Sequence, residues 1–200
     1  MENGSLLSEL TAALHSDSLL DLSKSLESYA CVVILLRGTR DDLEVGYIRR
    51  AVHEQDRWSG QIAFPGGKKD DKDENDMRTA LRETQEEIGL TLDVSNYAGR
   101  LDDIQARKAG EVLDFFIRPF VFFLDQEVTP TVAPDEVAEF FWVKLADLCH
   151  PSRQTTHKFQ RNTMTLQMPA IDLQRELPLW GLTYFMTQNL LKRLTAFVPK

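Results

Sequence analysis

The chain has 200 residues, 42% of them hydrophobic, and a formal net charge of -8 at pH 7. This length and apolar content fit one domain of ordinary size with a full hydrophobic core. The negative charge argues against a protein that binds nucleic acid through a basic face, and a polyanionic substrate would need metal ions to offset its repulsion from such a chain.

The composition also argues against disulfide-rich and membrane-spanning proteins. Cys31 and Cys149 are the only cysteines, so the sequence predicts neither a disulfide framework nor a zinc site, and we expect a reduced, cytoplasmic location. No segment has the length of a membrane span, and the N-terminus lacks a basic region followed by a long apolar one. We therefore expect no membrane partner and no nucleic-acid partner.

The first 28 residues carry leucines at helical spacing on either side of a polar break at 15–18. This periodicity predicts two short helices. We expect residues 1–28 to form an N-terminal helical extension packed on a domain over residues 29–200. Packing of the extension on a partner subunit is the alternative.

The run YACVVILL at 29–36 is continuously apolar and rich in β-branched residues. It indicates a central strand buried on both faces, and residues 43–48 predict the hairpin neighbour of that strand. Arg49 and Arg50 end the second strand. They are candidates for contact with a phosphate, and the alternative is that they are solvated at the strand end.

A glycine pair and a helix follow. Gly66 and Gly67 permit a tight turn that a side chain would block. Apolar residues at spacings of three and four predict a helix after the turn. Asp73 or Asp76 is the candidate N-cap of this helix, and Gly89 stands where its C-terminal stop belongs.

Three glutamates give this helix an acidic face. Glu83, Glu86 and Glu87 are three and four residues apart, so their carboxylates lie close together and repel one another. A cation is expected between them, and hard oxygen ligands suit Mg²⁺ or Mn²⁺, which in turn bind phosphate oxygens. Arg82 can pair with one of these carboxylates and hold its conformation.

The remaining chain shows strand and helix patterns. Strands are predicted at 97–101, 112–124 and 138–143, a small hairpin within 151–172, and an amphipathic helix at 179–194. Pro119 marks a bulge or an edge in the long second strand. The polar link at 102–111 is either a substrate-facing loop or a plain hairpin connection.

The order of these residues resembles the Nudix box, the signature of hydrolases that cleave nucleoside diphosphates linked to another group. The run at 82–90, RETQEEIGL, matches the second half of the box, except that Thr84 replaces an aliphatic residue. Either Asp73 or Glu74 fills the first acidic position. Glu74 has the usual spacing to Arg82, whereas Asp73 has the usual spacing to Gly67.

The resemblance implies an α/β fold, a Nudix-type α/β/α sandwich with a mixed central sheet. It implies hydrolysis of a pyrophosphate bond in the presence of Mg²⁺ or Mn²⁺. The metal ligands it implies are Glu83, Glu86, Glu87 and the Gly67 carbonyl. Arg82 would orient the glutamates. Either Glu86 or Glu136, on the loop before the strand predicted at 138–143, would accept a proton.

The loop at 51–60 and the following FPGG at 64–67 resemble the coenzyme A pyrophosphatase branch of this family. Arg57 is the candidate for the arginine of that loop. A Leu-x-Thr-x-Arg segment usual in the branch is matched only loosely at 46–50. Trp58 replaces a more usual residue, and either stacks on a base or fills the core.

These resemblances imply a small-molecule nucleotide substrate, with coenzyme A or acyl-coenzyme A leading and 3',5'-ADP and 4'-phosphopantetheine as products from coenzyme A. One alternative is the same chemistry on ADP-ribose, NADH or a nucleotide sugar. Another is a non-catalytic nucleotide sensor on the same fold. The resemblance is also compatible with a homodimer.

Overall fold

A computed structural model describes residues 2–53, 58–108, 111–161 and 164–198. Its helices are α1 (Glu2–Leu14), α2 (Asp76–Ile88), α3 (Leu145–Cys149) and α4 (Gly181–Arg193). Its strands are β1 (Tyr29–Thr39), β2 (Asp42–Arg50), β3 (Ile62–Ala63), β4 (Gly66–Lys68), β5 (Tyr97–Arg100), β6 (Ile104–Lys108), β7 (Glu111–Leu124), β8 (Val137–Lys144), β9 (Gln154–Arg161), β10 (Met164–Ile171) and β11 (Leu179–Trp180).

The strands from β1 to β8 form one mixed sheet. β1 runs parallel to β7 and antiparallel to β2 and β4. β5 and β6 pair with β7, whereas β3 and β8 pair with β2, all antiparallel. The strands β9, β10 and β11 form a separate antiparallel sheet. The predicted mixed central sheet and the hairpin of β1 with β2 are confirmed.

Successive side chains of β1 point to opposite faces of the sheet, so the core has two layers. Ile34 and its neighbours on one face pack with leucines of α1 and α4, including Leu10 and Leu190. Val33 and its neighbours on the other face pack with α2 through residues such as Ala80. The sheet therefore lies between helices on both sides, which confirms the α/β/α sandwich, and β1 is buried on both faces as predicted.

The prediction of two helices before β1 is wrong in part. α1 is present and buries Leu6, Leu10 and Leu14, but residues 15–28 form turns and extended chain. The backbone amide of Leu20 donates to the Asp102 carboxylate, and other backbone contacts join this segment to residue 103. These long-range bonds satisfy amides that a helix would use internally. The division of the chain at residue 28 stays a prediction.

Pro119 is neither at a bulge nor at an edge. On one side, β7 pairs with β1 along Tyr29–Arg37. On its other side, β7 pairs with β6 up to Ile117 and with β5 from Phe120 onwards. Pro119 lies where one neighbour ends and the other begins, so its missing amide leaves no gap in a ladder. The link predicted at 102–111 contains β6, which pairs antiparallel with β7 as one strand of a hairpin.

The predicted C-terminal helix begins later than expected. Leu179 and Trp180 pair with β10 as β11, and α4 starts at Gly181. The predicted hairpin over 151–172 is confirmed as β9 and β10. Within the described ranges, no helix is long and apolar enough to cross a membrane.

A buried ion network joins α2 to the N-terminal segment. The guanidinium of Arg118, on β7, donates to Asp103 at 2.7 and 3.0 Å, to Asp21 at 2.7 Å and to Asp76 at 2.5 Å. The Asp103 side chain is fully buried and also accepts from Arg100. Removing Arg118 would leave the buried Asp103 carboxylate with too little positive charge beside it.

We expect Arg118→Met to lower the free energy of unfolding by about 3 kcal/mol, because Asp103 would remain buried beside only one arginine. Urea denaturation would measure the change. Arg78→Met, at an exposed position of α2, is the matched control and should stay within about 0.5 kcal/mol of the parent. Equal stability of the two variants would contradict the structural role given to the network.

Candidate active site

The glycine pair lies in a strand, so the predicted tight turn is wrong. Gly66 and Gly67 belong to β4 and pair with Val32 and Cys31 of β1. Gly66 has φ +144°, and a Cβ there would lie 2.3 Å from the Cys31 carbonyl oxygen. A Cβ at Gly67 would lie 2.4 Å from the Glu83 carboxylate. The glycines thus allow β1, β4 and α2 to approach one another closely.

The ends of α2 are fixed by different residues from those first considered. Asn75 is the N-cap, and its side-chain oxygen accepts the Arg78 amide at 3.0 Å. The prediction of Asp73 or Asp76 for this role is therefore wrong. Gly89 has φ +69° and ends the helix in the left-handed conformation, as predicted.

Glu87 is a buried carboxylate at the base of the acidic face. Its side chain is 3% exposed, one oxygen accepts the Gly66 amide at 2.8 Å, and the other lies 3.7 Å from a guanidinium nitrogen of Arg50. Burial raises the pKa of Glu87 to about 8, and the charges of Glu83 and Glu136 add to the increase. A bound cation would offset the free-energy cost of burying the ionised carboxylate.

Arg82 forms hydrogen bonds with three neighbouring carboxylates. It donates two hydrogen bonds to Asp73, at 2.9 and 3.0 Å, and one each to Glu83 and Glu86 at 2.9 Å. The bond from Arg82 holds the pKa of Asp73 well below its usual range. Asp73, and not Glu74, is therefore the partner of Arg82 in this structure.

Glu83 and Glu86 differ in their surroundings. The Glu83 side chain is 17% exposed, whereas that of Glu86 is 53% exposed. Burial raises the pKa of Glu83, with Arg82 opposing the shift and Glu86 and Glu136 adding to it. Two glutamates of the acidic face, Glu83 and Glu87, are therefore largely buried, whereas Glu86 is exposed to solvent.

Among residues 2–53, 58–108, 111–161 and 164–198, no three His, Cys, Asp or Glu side chains are already arranged as a metal-binding group. Glu83 and Glu86 are instead engaged by Arg82. The donor set is nevertheless suited to a hard divalent cation, because its carboxylates repel one another and Glu87 is buried with a raised pKa. The residues present fit such an ion.

The loop before β8 places Glu136 beside this cluster. Amides of Thr131 and Ala133 donate to the last carbonyls of α2, those of Ile88 and Glu87, each at 2.9 Å. The loop thereby satisfies backbone groups that a helix end leaves unpaired. Glu136 is exposed and lies three residues after Ala133, so the loop brings it near the C-terminal end of α2, and its charge adds to the raised pKa values of Glu83 and Glu87.

The structure separates the predicted substrate-binding residues. Arg50 lies beside Glu87, whereas Arg49 lies 3.6 Å from the carboxylate of Glu176. Trp58 is half-buried, with its ring centroid 6.1 Å from that of Phe115 on β7. Arg57 lies outside the described residues. Roles for all four in substrate binding stay predictions.

Two contributors to the site were not predicted. The Gly66 amide acts as the hydrogen-bond donor to Glu87, and the ring of His53 contacts the carbonyl of Asp135 beside Glu136. The paired glycines marked the position of the first, although they were interpreted as a tight turn. Nothing in the local sequence around His53 indicated the second, because the contact joins residues 82 positions apart.

A family model described as the NUDIX domain matches residues 28–167. The chain belongs to the Nudix family. Its solved structural neighbours include a MutT/nudix family protein from Enterococcus faecalis, with a TM-score of 0.58 and 20% sequence identity over 84% of this chain and 62% of that one. This likeness concerns the fold, and it agrees with the α/β/α sandwich described above.

Relatives in sequence include two mouse proteins. The mitochondrial coenzyme A diphosphatase is 31% identical over 172 residues, which are 86% of this chain and 80% of the relative. The peroxisomal coenzyme A diphosphatase is 38% identical over 95 residues, which are 48% of this chain and only 38% of that relative. The predicted similarity to the coenzyme A pyrophosphatase branch is confirmed.

These findings support a Nudix pyrophosphohydrolase. The predicted enzyme class is therefore confirmed. The roles of individual site residues, the metal ion and the particular substrate are matters for proposal.

The burial of Glu87 predicts a pH-dependent stability. A carboxyl group whose pKa is raised on folding stabilises the protein fully below its unfolded pKa, and this contribution is lost as pH rises towards about 8. In EDTA, Glu87→Gln should therefore gain stability relative to the parent between pH 5 and pH 8, by roughly 1–3 kcal/mol. Urea denaturation at several pH values would measure the difference.

Glu127→Gln, at an exposed position after β7, is the matched control and should follow the parent at every pH. A difference between Glu87→Gln and the parent that does not change with pH would show that the Glu87 carboxyl titrates normally.

Proposed function

We propose that this protein hydrolyses the pyrophosphate bond of a nucleoside diphosphate linked to another group, with coenzyme A or acyl-coenzyme A as its substrate. The observation that carries the proposal is the convergence of Glu83 and Glu87 on the close contact between α2 and the backbone of β4. With coenzyme A, the products would be 3',5'-ADP and 4'-phosphopantetheine.

Glu83, Glu86, Glu87 and the Gly67 carbonyl would hold Mg²⁺ or Mn²⁺. Such ions supply charge neutralisation of the diphosphate and Lewis acidity at its phosphorus. The space that a Cβ at Gly67 would fill lies directly against the Glu83 carboxylate, which supports a ligand role for both. Arg82 orients Glu83 and Glu86 through its hydrogen bonds.

Glu136 would accept the proton of the attacking water. It is exposed on the loop that binds the end of α2, whereas the Glu86 carboxylate already accepts a hydrogen bond from Arg82. A base within reach of water and of the reacting phosphorus is what the reaction needs. Glu86 is the second candidate for this role.

The substrate assignment rests on relatives and on the surrounding loops. Proteins named as coenzyme A diphosphatases match up to 86% of the chain. Arg50 lies beside Glu87 at the end of β2, and Arg49, Arg57 and Trp58 are further candidates for contact with the substrate. A cytoplasmic location and a homodimer remain predictions from the sequence.

The first test is turnover with Mg²⁺ or Mn²⁺ on coenzyme A, acyl-coenzyme A, ADP-ribose, NADH and nucleotide sugars, with products identified by mass. We expect 3',5'-ADP and 4'-phosphopantetheine from coenzyme A. Glu87→Gln should lower kcat/KM at least about 100-fold, because a buried metal ligand is lost. Glu127→Gln should retain the parent activity.

Each other outcome has a defined meaning. Products from another member of the panel only would keep the chemistry and reject coenzyme A. Parent activity in Glu87→Gln would reject the metal-ligand role of Glu87. Nucleotide binding without turnover of any member would favour a non-catalytic sensor.

The two glycines give a second test of the metal site. The new methyl group of Gly67→Ala would meet the flexible end of Glu83, so stability should change little while Mn²⁺ affinity falls about tenfold. In Gly66→Ala the methyl group would meet the backbone of β1 at a φ of +144°, so that variant should be destabilised by several kcal/mol, on the order of 3. Calorimetric Mn²⁺ titration and urea denaturation would measure the two effects. Unchanged Mn²⁺ affinity in Gly67→Ala would contradict the proposed ligand set.

A further inference from the structure

We propose that His53 is a positioning residue that holds Glu136 at the reacting centre by binding the backbone of its loop. The proposal rests on the proposed function of Glu136 as the base. The ring nitrogen Nε2 of His53 contacts the carbonyl oxygen of Asp135, the residue immediately before Glu136. Because a carbonyl oxygen only accepts hydrogen bonds, Nε2 carries the hydrogen and donates it.

The side chain of Glu136 is exposed, so its position depends on how firmly the backbone of its loop is held. The pairing of β2 with β8 becomes irregular next to it, between Arg49 and Arg50. The pairing resumes only at Arg50 and Val137, so the backbone next to Glu136 follows an irregular part of the ladder. An exposed glutamate on such a loop would otherwise sample many positions, and misplacement by about 1 Å is costly for catalysis.

The loop is anchored on two sides. On one side, Ala133 and Thr131 donate to the end of α2. On the other side, the Ala51 amide donates to the Glu136 carbonyl at 2.8 Å, and the His53 ring binds the preceding carbonyl. Two successive carbonyls, those of Asp135 and Glu136, are therefore bound by the segment that follows β2.

His53 is itself held in place. Its backbone amide donates to the Ser59 hydroxyl at 2.8 Å, and the Gly60 amide donates to the Ala51 carbonyl at 3.3 Å. These bonds fold the two described ends of the 51–60 loop against each other, so the imidazole extends from a braced backbone. An exposed hydrogen bond adds little to the stability of the whole protein, so the main effect of the His53 contact is on the local geometry.

The test compares His53→Ala and His53→Gln in the parent and in Glu136→Gln. Glutamine keeps a side-chain N–H donor, whereas alanine removes it. We expect His53→Ala to lower kcat about tenfold with KM nearly unchanged, and His53→Gln to recover most of the loss. His15→Ala, which removes an exposed histidine of the N-terminal segment, is the matched control and should behave as the parent.

The double variant distinguishes positioning from a general structural role. In Glu136→Gln, adding His53→Ala should change kcat less than about twofold, because the group that His53 positions is already disabled. A tenfold loss in both backgrounds, or none in the parent background, would overturn the proposal. Equal losses in His53→Ala and His53→Gln would also overturn it, since the donor would then be irrelevant.

Hydrogen exchange gives a readout that does not depend on activity. His53→Ala should accelerate exchange of the Ala51 amide, which bonds to Glu136, by about tenfold, whereas His53→Gln and His15→Ala should not. Unchanged exchange in His53→Ala would overturn the positioning role. If the parent protein turned over no diphosphate, the proposed function would fail alone, and the exchange result would still decide whether His53 orders the Glu136 loop.

Discussion

The close packing of β4 between β1 and α2 is the constraint on which the site depends. Gly66 leaves no room for a side chain against the backbone of β1, and Gly67 leaves none against the Glu83 carboxylate. The acidic face of α2 therefore packs directly against the backbone of β4. One consequence is that Glu87 enters the interior with the Gly66 amide as a partner. A buried carboxylate destabilises the fold unless its charge is compensated, so this packing lowers the stability as the Glu87 carboxyl group ionises.

Two arginines hold α2 in complementary ways. Arg118 lies in the sheet and binds three aspartates, one of which, Asp76, begins the helix. A carboxylate at this end also interacts favourably with the helix dipole. Arg82 lies on the helix and binds Asp73, Glu83 and Glu86. The first network fixes where the helix starts, and the second fixes the conformations of the carboxylates along its exposed side. The loop at 131–137 completes the arrangement by binding the helix end.

Sequence patterns predicted the features that depend on neighbouring residues. The apolar run of β1, the acidic face of α2 and the terminal Gly89 all follow from local spacing. Features decided by distant partners were predicted wrongly or left open. Residues 20–22 bond to Asp102 and Asp103 in place of forming a helix, and Pro119 is tolerated because β5 and β6 meet beside it. Likewise, spacing alone left Asp73 and Glu74 equivalent, whereas the bidentate contact with Arg82 separates them.

The same distinction explains why the proposed base is the least predictable member of the site. Glu83 and Glu87 share one helix, so a single element fixes their relation to each other. Glu136 comes from another part of the chain, and its place depends on backbone contacts with the end of α2 and with Ala51 and His53. The segment after β2 thereby contacts the Glu136 loop while its Trp58 approaches β7. A change in this segment therefore acts on two features at once, the packing of Trp58 against Phe115 and the backbone of the loop that carries the proposed base.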